Sequence, residues 1–136
     1  MKKISLFFLA VLSVLLIVLS GCTEAPSVEE FAGFTYIYEG DDAVGQFAIT
    51  INENGTFSYF EGAASSYIGV GEWTVEENKI CLTDRDNPLV NYFRFKDGKL
   101  VFIEKNSTNF TYVKVSDGDT FRSLSSPDTT NSESEK

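Results

Sequence analysis

Histidine is absent from the 136 residues. The commonest general base and the commonest zinc ligand are therefore missing. Basic residues are scarce as well, 11 against 20 acidic ones. Lys2 and Lys3 stand at the start, and the next basic residue is Lys79. All acidic residues follow Cys22, so the chain from there on carries nine basic and 20 acidic side chains, a formal charge of −11. A surface so charged repels anionic lipid headgroups and polyanions, which excludes nucleic acid as a partner. Catalytic signatures are lacking too. Ser65-Ser66 lies in no Gly-x-Ser-x-Gly turn, and no histidine is there to activate it. Glu61 and Glu72 are carboxylates of the kind glycosidases pair, but among 20 acidic residues some such pair is inevitable. Asp84-Arg85-Asp86-Asn87 and Asp117-Gly118-Asp119 put carboxylates in turns without EF-hand spacing, and Arg85 would repel a cation. The sequence thus names no catalytic residue, no metal site and no cofactor, and points away from an enzyme.

What is present begins at the N-terminus. Met1-Lys2-Lys3 precedes an apolar run from Ile4 to Leu19, broken by Ser5 and Ser13. A basic start, a short apolar core and small residues make the pattern of an export signal. The run falls short of the roughly 20 residues a spanning helix needs. Its end, Leu19-Ser20-Gly21-Cys22, resembles the lipobox of bacterial lipoproteins. That resemblance implies a diacylglycerol on the Cys22 sulfur and cleavage just before it. A thiol suits the role, because the thiolate is the nucleophile that forms the thioether. Two acyl chains hold a protein stably on a membrane where one does not. The expected location is the extracytoplasmic face of the cell membrane. With Cys22 acylated, Cys81 has no partner, and Lys79-Ile80-Cys81-Leu82 reads as a strand with a small buried thiol. The Asn-x-Ser/Thr triplets at Asn54, Asn106 and Asn109 then read as turn and strand residues, since a lipobox argues for a bacterium.

The chain divides into a signal at 1–21, a polar tether at 22–31, a domain at 32–122 and a Ser/Thr- and acid-rich tail at 123–136. The tail is expected to be disordered. In the domain, apolar residues alternate. Phe47, Ile49 and Ile51 oppose Gln46, Ala48 and Thr50; Gly71, Trp73 and Val75 oppose Glu72, Thr74 and Glu76; Phe93 and Phe95 oppose Tyr92, Arg94 and Lys96. Period two is the signal of half-buried strands. Asn54-Gly55, Glu77-Asn78, Asp97-Gly98 and Asp117-Gly118 punctuate them as turns. Strands are predicted near 33–39, 45–52, 56–61, 67–76, 79–84, 90–96, 99–105 and 110–115, with a short one at 119–122. The connections are too short for crossover helices, so the sheet is expected to be antiparallel. About eight sequential strands can hide their edges by curling into a small up-and-down β-barrel, with a two-sheet sandwich as the alternative. Ser27 and Glu30 resemble a capping box, allowing a turn or two of helix that would tie the tether to the barrel.

Gly69-Val70-Gly71-Glu72-Trp73 followed by Ile80-Cys81-Leu82-Thr83-Asp84 resembles small bacterial lipocalin-like and META-type lipoproteins over roughly residues 53–104. The resemblance implies a lipocalin-like β-barrel and no particular activity. The residues alone allow a simpler account, in which Trp73 fills the core and Gly69 and Gly71 let the sheet bend or let Trp73 pack across the backbone. If the barrel holds a ligand cavity, its expected lining is Tyr59, Tyr67, Trp73, Phe93, Phe95 and Phe102. The expectation is a membrane-anchored, non-enzymatic binding or interaction module of the cell envelope. Its partner would be an envelope protein or, in the alternative, a small hydrophobic ligand carried as lipocalins carry theirs.

Overall fold

The computed structural model describes residues 24–40, 46–63 and 65–124. The expected signal, Cys22 and all but the first two residues of the expected tail lie outside these. A one-turn helix, α1 (Val28–Phe31), leads into eight strands: β1 (Phe34–Tyr38), β2 (Phe47–Ile51), β3 (Thr56–Glu61), β4 (Ile68–Glu76), β5 (Lys79–Asp84), β6 (Val90–Lys96), β7 (Lys99–Ile103) and β8 (Thr120–Ser123). Each pairs antiparallel with the next, and β8 pairs with β1, so the sheet closes into a barrel in sequence order. The sandwich alternative is thereby excluded. Closure leaves no free sheet edge.

The period-two pattern places the side chains as expected. In β2, Phe47, Ile49 and Ile51 are buried while Ala48 and Thr50 are half-buried on the outer face. Two turns fix the register. Glu77 and Asn78 both have positive φ (47° and 66°) between the paired Glu76 and Lys79. Asp97 and Gly98 do the same (53° and 73°) between Lys96 and Lys99. Such two-residue turns match the right-handed twist of the strands they join.

The barrel has two ends. At the proximal end lie the tight turns, the entering chain and α1. Glu30 reaches back to the Ser27 backbone N–H (2.8 Å), as the capping-box reading expects. Phe31 is fully buried, with Trp73 edge-on to its ring at 5.0 Å. Trp73 donates its indole N–H to the Asn52 carbonyl (2.8 Å). The Tyr36 hydroxyl donates to the Phe31 carbonyl (2.7 Å), and burial pushes its pKa well above the ordinary tyrosine value. The last residue of the expected tether, Phe31, therefore belongs to the core.

Two expectations are corrected. Residues 110–115 do not form a strand; they belong to a strap, residues 104–119, that crosses the distal end between β7 and β8. The alternating sequence is real, but Glu61 captures the N–H groups that a neighbouring strand would have paired. The eighth strand is the short one, which runs to Ser123 and so takes the first residue of the expected tail. The glycine reading changes as well. Gly69 and Gly71 lie opposite Tyr59 and Phe57 on β3; a Cβ at Gly69 would overlap the Tyr59 ring, and one at Gly71 would meet the Thr83 backbone carbonyl first and then the Phe57 ring. Gly69 makes room for Tyr59, and Gly71 for the Thr83 backbone and Phe57, not for Trp73.

Candidate functional site

The distal mouth gathers the buried polar side chains. β3 ends in Glu61, which alternation turns inward and which is 2 % exposed. Its Oε2 accepts backbone N–H bonds from Tyr112 (2.6 Å) and Val113 (2.9 Å), and Oε1 accepts one from Thr111 (3.2 Å). Asn109, at φ 71°, shapes the strap beside it. Its Oδ1 accepts from the N–H of Phe110 and of Val115, its Nδ2 donates to the Val115 carbonyl, and its own N–H donates to Asn91 Oδ1. These bonds fold the strap inward, so that Phe110, Val113 and Val115 join the core.

Phe110 is the plug. Its ring lies 4.8 Å from Phe47, 5.4 Å from Tyr59, 6.3 Å from Phe102 and 6.5 Å from Phe93. Phe121 closes the cluster against Phe47 and Phe93. Beside it the Tyr59 hydroxyl donates to Asp84 Oδ2 (2.8 Å). Burial, and then this carboxylate, push the Tyr59 pKa far up. Asp84 Oδ1 accepts the N–H groups of Asp86 and Asn87, and Asn87 Nδ2 donates to the Tyr67 hydroxyl (2.9 Å). Both oxygens of both buried carboxylates are thus engaged.

The six aromatic residues expected to line a cavity fall into two groups. Tyr59, Phe93 and Phe102 surround Phe110 in the distal half, with Tyr67 on the rim 6.4 Å from Tyr59. Trp73 and Phe95 lie at the proximal end, both against Phe31. The first group packs around a ring from the strap, and the second against a ring from α1. Phe110 and Phe31 were not foreseen. Alternation marked Phe47 as inward, but nothing local marks a loop phenylalanine or the last residue of a tether as core.

The carboxylates read from sequence are not brought together. Glu72 pairs with Thr56 on the outer face of β4, whereas Glu61 points inward five residues further along β3. That separates them by roughly 17 Å of strand, beyond the reach of paired glycosidase carboxylates. In the second acidic turn, Asp117 Oδ1 accepts the Glu104 N–H, and Asp119 Oδ2 accepts from the Tyr38 hydroxyl and the Ser116 N–H. Among the described residues no group of three His, Cys, Asp or Glu side chains is placed to hold a metal ion. Cys81 is buried, with Thr83 its neighbour on the same strand. Ser65 is buried in a local turn, its Oγ accepting the Tyr67 N–H (3.0 Å).

A further opening lies elsewhere. A groove of about 1110 Å³ lies at the proximal end, between the entering chain at Glu24–Ser27 and the β4–β5 and β6–β7 turns. Phe95, Lys79, Arg94 and Lys96 line it on the barrel side. Comparison of the chain with protein-family models, with curated proteins and with solved structures gave no match.

Proposed function

We propose that this protein is a bacterial lipoprotein, held by a diacylglycerol on Cys22 at the extracytoplasmic face of the cell membrane. Its barrel serves there as a non-enzymatic interaction module. The anchor reading rests on Leu19-Ser20-Gly21-Cys22 placed directly after a short apolar run. Among the described residues no helix is long and apolar enough to cross a membrane. The interaction reading rests on one observation at the distal rim. The barrel interior is packed with rings, yet Phe60, Tyr67, Ile68 (61 % exposed) and Tyr112 (57 % exposed) stand outside them. Phe60 and Ile68 are cross-strand partners, and the Tyr112 N–H reaches the Glu61 side chain next to Phe60. Large apolar side chains clustered in solvent mark a surface that another protein covers. The cluster lies at the end opposite the entering chain, where an envelope protein has access.

Two experiments test this. Cys22→Ser is expected to leave the chain unprocessed or released; cleavage and membrane retention of that variant refute the anchor. A photo-crosslinking residue at Ile68 is expected to give a discrete adduct in cells, while the same residue at the exposed Thr74 gives none. No discrete adduct at Ile68 refutes the interaction surface.

A carrier of a small hydrophobic ligand is the second reading, and the position of Phe110 favours it. This ring enters from a strap, not from the barrel wall, and occupies the place a ligand would take. Phe110→Ala is expected to create saturable binding of an apolar fluorescent probe among Phe47, Tyr59, Phe93 and Phe102. A variant that folds and binds no probe rules this reading out.

A further inference from the structure

The overall negative charge hides a division that barrel closure makes spatial. Residues 24–78 carry eleven acidic side chains and no basic one. Residues 79–124 carry eight basic and six acidic ones. Because the strands run round the barrel in sequence order, β1–β4 form one half of the wall and β5–β8 the other. The outer face of the second half is basic. Lys96, Lys99 and Arg122 lie side by side across β6, β7 and β8, and Arg94 stands one row away beside Val101. Lys99 is paired with Glu39 (2.8 Å) and Lys79 with Glu77 (3.8 Å). Arg94 and Lys96 have no ion pair among the described residues, and Arg122 acts on Glu39 only at longer range.

The entering chain comes in on this basic half. Glu24 lies on the groove with Lys79, Arg94 and Lys96, and also with the acidic Glu30, Glu77 and Asp97. Glu24 lies two positions after Cys22, with Thr23 alone between them. Two residues of chain span at most about 7 Å whatever their conformation. An acylated Cys22 therefore brings the bilayer surface to the groove itself. At the same end Val28, Phe34 and Leu124 expose apolar side chains.

We propose that the anchored barrel rests its β6–β8 flank on anionic phospholipid headgroups, with Arg94, Lys96 and Arg122 against the phosphates. This rests on the anchor reading above. Arg and Lys donate charge-assisted hydrogen bonds to phosphate oxygens, Arg in bidentate form. The same surface repels the β1–β4 half, so attraction and repulsion set one orientation together. The flank is then held against the membrane and the distal rim faces away from it.

The test uses the full lipidated chain purified from membranes. Its mass first shows whether Cys22 bears the diacylglycerol. Single cysteines are introduced at Val101→Cys, on the basic flank, and at Ser58→Cys, on the outer face of the acidic half. Cys81 is buried and a lipidated Cys22 is blocked, so a thiol-reactive fluorophore labels the introduced residue. The proteins are placed in phosphatidylcholine vesicles with or without phosphatidylglycerol, containing a headgroup-nitroxide quencher. Quenching at Val101 is expected to exceed that at Ser58 at least threefold in anionic vesicles. The difference is expected to vanish without phosphatidylglycerol, in about 1 M salt, where screening falls to roughly 3 Å, and in the Arg94→Glu/Lys96→Glu variant. Equal quenching at the two positions in anionic vesicles, with Cys22 lipidated, overturns the seating alone. An unmodified Cys22 overturns the anchor and the seating with it.

Discussion

Replacing Glu61 by glutamine tests the claim that one carboxylate closes the barrel mouth. The side chain keeps its shape but has one acceptor oxygen instead of two. In the better rotamer the amide oxygen keeps the N–H groups of Tyr112 and Val113, now at 2.6 and 2.9 Å from the carboxylate. A hydrogen bond to a charged group contributes roughly 1.5–3 kcal/mol and a neutral one roughly 0.5–1.5 kcal/mol. Each of the two bonds therefore weakens by about 1 kcal/mol. The Thr111 N–H, at 3.2 Å, loses its partner to the new amide group. Thr111 is at the rim, where water replaces the bond in part, so this loss is of order 1 kcal/mol. The strap is expected to lose about 3 kcal/mol in all, or roughly a hundredfold in its closing equilibrium. Native-state amide exchange at Thr111, Tyr112 and Val113 reads this directly. The three amides should exchange about a hundredfold faster, while those of β2 and β6 change only as much as global stability does. Exchange at 111–113 within threefold of the unaltered protein would refute the idea that Glu61 holds the strap.

Three further outcomes follow from the same packing. Gly69→Ala forces a methyl group into the Tyr59 ring, which Asp84 holds in place; a loss of about 1–3 kcal/mol in urea unfolding is expected, and an unchanged midpoint contradicts the close approach. Tyr36 and Tyr59 ionise later in the folded than in the unfolded chain, whose tyrosines titrate near pH 10. Above that pH the unfolded state releases protons first, so stability is complete below pH 10 and falls above it by up to roughly 1.4 kcal/mol per pH unit for each tyrosine. Circular dichroism in graded urea from pH 8 to 12 checks this, and a flat profile counts against it. Glu39, whose pKa is lowered by its hydrogen bonds to Lys99 and Thr120, is mostly a surface group; Lys99→Ala should cost less than about 1 kcal/mol, and a larger loss by thermal melting would show a stronger role for this pair.

Much was legible in the residues alone. Alternation in Phe47–Ile51 fixes which side chains face inward, because side-chain direction in a strand repeats every two residues. Glu77-Asn78 and Asp97-Gly98 specify two hairpins, because tight turns need positive φ at both central residues. Short connections dictate an antiparallel order, and the lack of histidine narrows the chemistry. Each of these is local physics, expressed within a few residues.

The tertiary structure decided what local physics does not reach. Residues 110–115 alternate like a strand, but a carboxylate about 50 positions earlier captures their N–H groups and bends them into a strap. Phe110 became a plug, and Phe31 a stopper, through contacts formed only once the barrel had closed. The aromatic residues expected around one cavity were divided between two ends for the same reason. Charge shows the distinction most simply. The sequence contains an acidic first half and a more basic second half, which a net charge of −9 for the chain conceals. Only eight strands closing in order make those halves opposite faces of one body, and only the point where the chain enters decides which face lies nearest Glu24.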